Sequence, residues 1–280
     1  IGKVAMINFT ELQKEYKEFN TGFEKDLAEI LKSSAYITGK YVSAFEDKVK
    51  EVIKEKTGHE VYVVGVNSGT TAIALCLKFL KQKIHGVKII NTTALSFWAT
   101  AEAILENDLV PVFWDVGNRL QMEVTQPYTV AVGLHGHPVL PYEGVDYVIE
   151  DNAQCAPFHY NDNCWASTYS LFPAKPLGSC GDGGYIVTQD HDLYSWLLSA
   201  RYHGLDLSVD RYNTRMSSGT YRLNEIGAAF ALHKLEVLDS LQTRRLKNAK
   251  KYATQLEIPF FEDSDYHVFN TVVKDREKIK

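Results

Sequence analysis

The chain is predicted to be an α/β protein built on a mostly parallel sheet, and three features of its 280 residues predict it. Short apolar, often β-branched runs alternate with amphipathic helical stretches from residue 61 onward. A purely helical stretch precedes them at 10–57. Polar clusters rich in Gly, Ser or Thr fall just after the runs, where the loops beyond the carboxyl ends of parallel strands hold ligands.

In chain order, the helical stretch comes first. Thr10-x-x-Gln13, Thr21-x-x-Glu24 and Ser43-x-x-Glu46 have capping-box spacing, which satisfies free N–H groups at a helix start. Phe23, Leu27, Ile30 and Leu31 follow the second box, and Phe45, Val49, Val52 and Ile53 follow the third, each set on one helix face. Residues 36–40 break the two helices. Strands are expected at 61–66, 87–91, 110–114, 130–134, 145–149, 168–171 and 185–187. Helices are expected after Ser68 and at 99–106, 192–203 and 223–256, the last long enough to bend or break. A strand at 266–273 would open a second, small domain. The expected division is a large body over 1–240 and a small-domain remnant over 241–280.

Composition narrows the function. A formal charge of −5 with no clustered basic stripe excludes an electrostatic footprint for nucleic acid. No apolar run approaches membrane-spanning length, and the amino-terminal segment lacks a signal-like core. Cys76, Cys155, Cys164 and Cys180 show no C-x-x-C spacing, so free thiols in a reducing, cytoplasmic setting are expected, with Cys76 buried. His135 and His137 flank Gly136 without a third ligand nearby, so no metal is expected.

The informative stretch is Glu150-Asp151-Asn152-Ala153-Gln154, followed by Ser170-Leu171-Phe172-Pro173-Ala174-Lys175. A pyridoxal phosphate enzyme needs a lysine that forms a Schiff base with the cofactor aldehyde. It also needs a carboxylate that keeps the pyridine nitrogen protonated. Alone, Asp151 and Lys175 fit ordinary exposed charges. The motifs around them favour the cofactor. Ser68-Gly69-Thr70-Thr71 lies between a strand and a helix, where N–H groups and a glycine make an anion cradle or a simple N-cap. It has neither a Walker lysine nor the G-x-G-x-x-G fingerprint. Phe97, in Leu95-Ser96-Phe97-Trp98-Ala99-Thr100, sits where a ring can stack on a flat cofactor, although such a residue alone is more often core. Gln154 can donate to the cofactor's phenolic oxygen. Gly178, Gly181, Gly183 and Gly184 after Lys175 let backbone pass close to a ligand.

In this order the motifs resemble the sugar-nucleotide aminotransferase family, pyridoxal phosphate enzymes of the aspartate aminotransferase fold (fold type I). The series is Ser-Gly-Thr, aromatic-x-Ala-Thr, Gly-x-Pro, Glu-Asp-x-Ala-Gln, Ser-x-x-Pro-x-Lys and Gly-Gly-x-x-Val-Thr. Tyr221-Arg222-Leu223-Asn224-Glu225-Ile226-Gly227-Ala228-Ala229 completes it, and the match runs from about residue 7 to 273. The resemblance implies a three-layer fold type I large domain with a truncated C-terminal small domain. It makes Lys175 the Schiff-base lysine and Asp151 the pyridinium partner, with Gln154 on the ring oxygen and Phe97 stacked on the ring. Gly69, Thr70 and Ser170 would hold the phosphate. A homodimer with shared active sites is implied.

Three departures mark the chain. Thr220 stands where the family has an Asn reaching the phosphate across the dimer. The segments 115–130 and 160–170 are short, and most of the small domain is missing. The reaction implied is transfer of an amino group from L-glutamate to a nucleotide-linked keto-sugar by a ping-pong cycle. Three other readings stay open: an inactive cofactor- or sugar-binding regulatory subunit, a pyridoxal phosphate-dependent sugar dehydratase, and a nicotinamide oxidoreductase. Dehydratases typically replace the lysine with His, so Lys175 argues against that branch.

Overall fold

The computed structural model describes residues 10–37, 39–206 and 212–273. Thr38, in the expected helix break, and the basic last residues 274–280 lie outside that range. Strands β1 (Tyr62–Val66), β2 (Ile89–Thr93), β3 (Val110–Trp114), β4 (Thr129–Val132), β5 (Val148–Asp151), β6 (Ala166–Ser170) and β7 (Gly184–Thr188) form one sheet. Its spatial order is β1-β7-β6-β5-β4-β2-β3. Only β7 runs antiparallel to its neighbours, so β2 to β6 present their carboxyl ends along one edge. Such an edge is where α/β proteins place their sites.

Alternation along the strands builds the two helical layers. Val63, Ala131, Val148 and Val187 face Phe45, Val49 and Ile53 of α3 (Lys40–Thr57) and Leu235 and Leu238 of α7 (Glu225–Leu256). Their neighbours Val64, Val130, Ile149 and Ile186 turn the other way, onto Ile73, Leu77 and Leu80 of α4 (Gly69–Lys83) and Leu193 and Leu197 of α6 (His191–Ala200). Each of the buried Val, Leu, Ile and Phe side chains contributes roughly 1.5–3 kcal/mol of transfer free energy. The result is the three-layer α/β arrangement read from the sequence.

Helix starts differ from the expectation. None of the three capping boxes begins a helix. The N-cap of α1 (Leu12–Tyr16) is Glu11, and Thr21 and Ser43 lie inside α2 (Asn20–Ser33) and α3. The α2 start is set by packing: Phe19 and Phe23 both meet Phe230 of α7 edge-on, with ring centroids 5.0 Å apart. The α3 start is capped from a distance. Gly39 N–H donates to Glu225 Oε1 at 2.8 Å and Tyr41 N–H to Oε2 at 2.7 Å. A Cβ on Gly39 would lie 2.7 Å from Glu225 Oε2, so a side chain there would push the capping carboxylate aside. Glu46, freed from capping, accepts the Gly65 N–H at 2.7 Å and pairs with Arg201.

The strand expected at 266–273 is absent. Its neighbourhood is spent on loops instead: Asp265 N–H donates to Gly136 O at 2.7 Å and Val268 N–H to His135 O at 3.2 Å. Asp265 Oδ2 accepts the Ala156 N–H at 2.7 Å, and Tyr266 takes a left-handed φ of 44°. The segment is a strap over the loops after β4 and β5. Helix α7 runs unbroken over 32 residues, through the expected boundary at 240.

Between β3 and β4 the chain makes turns and no helix, which leaves the sheet uncovered there. Ile89 (52%), Val110 (57%) and Phe113 (53%) are exposed on the edge. Val110 N–H donates inward to Lys88 O at 2.8 Å, and Pro111 follows it. Among the described residues no helix is long and apolar enough to cross a membrane.

Glu225→Ala is expected to lower the unfolding free energy by about 2–4 kcal/mol, because two buried N–H groups at a helix start lose a charged acceptor. Chemical denaturation monitored by circular dichroism checks this.

Candidate active site

A cavity of about 500 Å³ opens at the carboxyl ends of the central strands. Asp151, the last residue of β5, lines it with a side chain almost wholly removed from solvent. Thr100 Oγ1 donates to Asp151 Oδ2 at 2.7 Å, and the Ala153 N–H donates to Oδ1 at 3.2 Å. Burial pushes the Asp151 carboxyl up, and those two donors and the charge of Lys175 oppose the shift.

Lys175 comes from the loop between β6 and β7. The loop is wound tightly: Lys175 N–H donates to Phe172 O, and Gly178 N–H donates to Lys175 O, both at 2.8 Å. A Cβ on Gly178 would stand 2.1 Å from Pro173 O, so the turn closes only with glycine. Burial draws the Lys175 ammonium below its ordinary value, opposed by the nearby charge of Asp151. A lysine in that state is available as a neutral nucleophile at lower pH than a surface one.

The anion cradle lies beside them. Ser68 caps α4 by accepting the Thr71 N–H at 3.0 Å. The N–H groups of Gly69 and Thr70 have no acceptor within the helix, and both residues line the cavity. The approach of α4 to the sheet depends on missing side chains. A Cβ on Gly69 would come 2.9 Å from Ser170 Cβ, and one on Gly184 would come 2.5 Å from Ser68 O. Ser170 is thereby pressed against the start of α4.

Phe97, the N-cap of α5 (Trp98–Leu105), lines the cavity with 69% of its surface exposed, so it is not a core residue. Gln154 accepts the His135 N–H on Oε1 at 2.6 Å, which leaves its amide NH₂ as the donor in a cavity-lining residue. One cavity therefore gathers Gly69, Thr70, Phe97, Asp151, Gln154, Ser170 and Lys175. Thr220 lies outside it and bonds through Oγ1 to His203 Nε2 at 2.8 Å. Sequence reasoning gave no role to Thr100, Ser96 or Asp182. The four-residue spacing of Ser96 and Thr100 along a helix start and the acid between Gly181 and Gly183 were the available signals. Among the described residues no group of three or more His, Cys, Asp or Glu is placed to hold a metal ion.

The donor set fits a phosphorylated carbonyl cofactor: amide groups for phosphate, a lysine for the carbonyl, and a buried carboxylate for a ring cation. Chemistry of this kind belongs to group-transfer enzymes that pass an amine through a bound carbonyl compound. The chain belongs to the DegT/DnrJ/EryC1/StrS aminotransferase family, whose model matches residues 18–126 and 144–267. It is 30% identical to a pleiotropic regulatory protein of Geobacillus stearothermophilus, over 93% of this chain and 75% of that one. It is 28% identical to the UDP-2-acetamido-2-deoxy-3-oxo-D-glucuronate aminotransferase of Pseudomonas aeruginosa, over 94% of this chain and 78% of that one. The crystal structure of NtdA from Bacillus subtilis, with the cofactor PMP bound, shares the fold. It has a TM-score of 0.82 and 22% identity, covering 96% of this chain and 67% of that one.

Lys175 is expected to react with trinitrobenzenesulfonate at a rate that rises with pH and levels off below 10.5, the ordinary lysine value. The lowered value enlarges the neutral fraction at every pH beneath it. Peptide mass spectrometry of protein treated between pH 7 and 10.5 checks this, with exposed Lys14 as the internal comparison.

Proposed function

We propose that this aminotransferase moves an amino group from L-glutamate to a keto-sugar linked to a nucleoside diphosphate, with pyridoxal phosphate as cofactor. The observation that carries the reading is the meeting of Lys175, Asp151 and the Gly69–Thr70 cradle in one cavity. Family membership supports it, as does the sugar-nucleotide aminotransferase among the relatives.

When bound, the cofactor supplies an electron sink for cleavage at the α-carbon of an amino acid. The chain's own residues do the rest. Lys175 Nζ is the group that would hold the cofactor's carbonyl and, when free, would serve as the base that moves a proton. Asp151 is the carboxylate that would hold a protonated ring nitrogen through a charge-assisted hydrogen bond. Gln154 donates its amide NH₂ to the ring oxygen while His135 holds the other end of the side chain. Phe97 covers one ring face, and Gly69, Thr70 and Ser170 take the phosphate. Thr220 serves the neighbouring site in a homodimer, which suits its position outside its own chain's cavity. In this reading residues 1–240 form the cofactor-binding body and 241–280 belong to a small domain. The free thiols Cys76, Cys155, Cys164 and Cys180 suit a cytoplasmic setting.

A second reading, a regulatory protein without turnover, is favoured by the name of the Geobacillus relative. Turnover separates the two. Purified protein with pyridoxal phosphate is expected to show a visible absorption band that L-glutamate converts to the pyridoxamine form. Lys175→Ala is expected to lose borohydride-fixable attachment and to slow the half-reaction by about 10²-fold or more. A band indifferent to glutamate in the unaltered protein would support the regulatory reading.

A further inference from the structure

We propose that Ser96 and Thr100 form a one-way hydroxyl relay that positions the Asp151 carboxylate and ties it to the helix turn carrying Phe97. The inference rests on the reading of Asp151 as the partner of the cofactor ring. Its first observation is proton counting. Thr100 Oγ1 carries a single hydrogen and lies 2.7 Å from Asp151 Oδ2, which can only accept when the acid is ionised. Thr100 Oγ1 also lies 2.7 Å from Ser96 Oγ. With its hydrogen given to Asp151, Thr100 must accept there, so Ser96 is the donor. With Asp151 ionised, the direction Ser96 to Thr100 to Asp151 is therefore fixed.

The second observation is placement. Thr100 is 1% exposed, so water does not compete for its hydroxyl. It stands one turn beyond Phe97 and donates its N–H to Phe97 O at 3.3 Å. Ser96 and Phe97 both line the cavity. A single residue thus ties the carboxylate at the end of β5 to the first turn of α5. Oδ1 is held by the Ala153 N–H, leaving lone pairs on the cavity side.

The charged group that acts on Asp151 from across the site is Lys175, in the loop between β6 and β7; the contact from α5 is the Thr100 hydroxyl. Burial works against the ionised acid, and the relay opposes it without adding a second charge. A lysine or arginine in the place of Thr100 would hold Asp151 ionised more strongly and would repel a ring cation. A hydroxyl holds the charge and leaves it available.

The test uses the full chain with Thr100→Val, which keeps shape and removes the donor, Thr100→Ser, which restores it, and Ser96→Ala. Asp151 is first titrated by carboxyl ¹³C NMR without cofactor. Thr100→Val is expected to raise its midpoint by about one pH unit, a tenfold change and the scale of one charge-assisted hydrogen bond. Ser96→Ala is expected to raise it less, and Thr100→Ser to return it. With pyridoxal phosphate bound, Thr100→Val is expected to lower kcat for the glutamate half-reaction about tenfold with KM within about twofold, and Thr100→Ser to recover it. An unmoved Asp151 midpoint in Thr100→Val overturns the relay, as does a moved midpoint with unchanged kcat. Should the unaltered protein fail to bind pyridoxal phosphate, the cofactor reading fails, and the titration without cofactor still decides the relay.

Discussion

Asp151 keeps its carboxylate almost wholly out of solvent at the end of β5, and the elements around the cavity are arranged to meet that demand. A buried carboxylate without donors costs several kcal/mol. Here the donors come from α5 through Thr100 and from the following turn through Ala153. The preceding residue makes the same demand on another set of groups. Glu150 is also buried, and it takes hydrogen bonds from Tyr142, Asn152 and Asn161 at 3.2, 3.0 and 2.9 Å. Burial pushes it up to about 7. Two adjacent carboxyls at one strand end thus need separate donor sets, and the short loops after β4 and β5 are shaped by supplying them.

The cavity also depends on how closely α4 can approach the sheet. Gly69 and Gly184 sit against Ser170 and Ser68 with no room for a side chain. That closeness brings the helix start, with its unpaired N–H groups, to the same strand ends as Asp151. The helix-start N–H groups and the Asp151 carboxylate are then set at a fixed separation by backbone packing. The loop that bears Lys175 is wound on the same logic, with Gly178 against Pro173.

Much of this was legible in the sequence, because buried parallel strands read as apolar runs and strand-end loops carry the polar clusters. β1, β3 and β7 lie where their Val- and Ile-rich runs placed them, and Asp151 and Lys175 face one cavity as their order in the chain implied. What escaped were contacts between residues far apart in sequence. Capping-box spacing is a local signal, and α3 is capped by Glu225, 186 residues from Gly39. Alternation around 266–273 looked like a strand, but a strand needs a neighbour to pair with, and the loops after β4 and β5 claim the nearby backbone instead. The hydroxyl of Thr100 had no signal beyond its four-residue distance from Ser96.

The open edge of the sheet carries a consequence for how molecules of this protein meet one another. Apolar side chains on a bare edge strand invite a foreign strand to add, through the outward-pointing row of donors and acceptors. In β3 that row is interrupted. Val110 N–H points inward to Lys88, so the next residue's nitrogen points outward, and that residue is Pro111, which has no hydrogen to give. The sheet ends there by chemistry and not by cover. With any other residue at 111, the exposed Val110, Val112 and Phe113 would flank a continuous ladder edge, a template for growth.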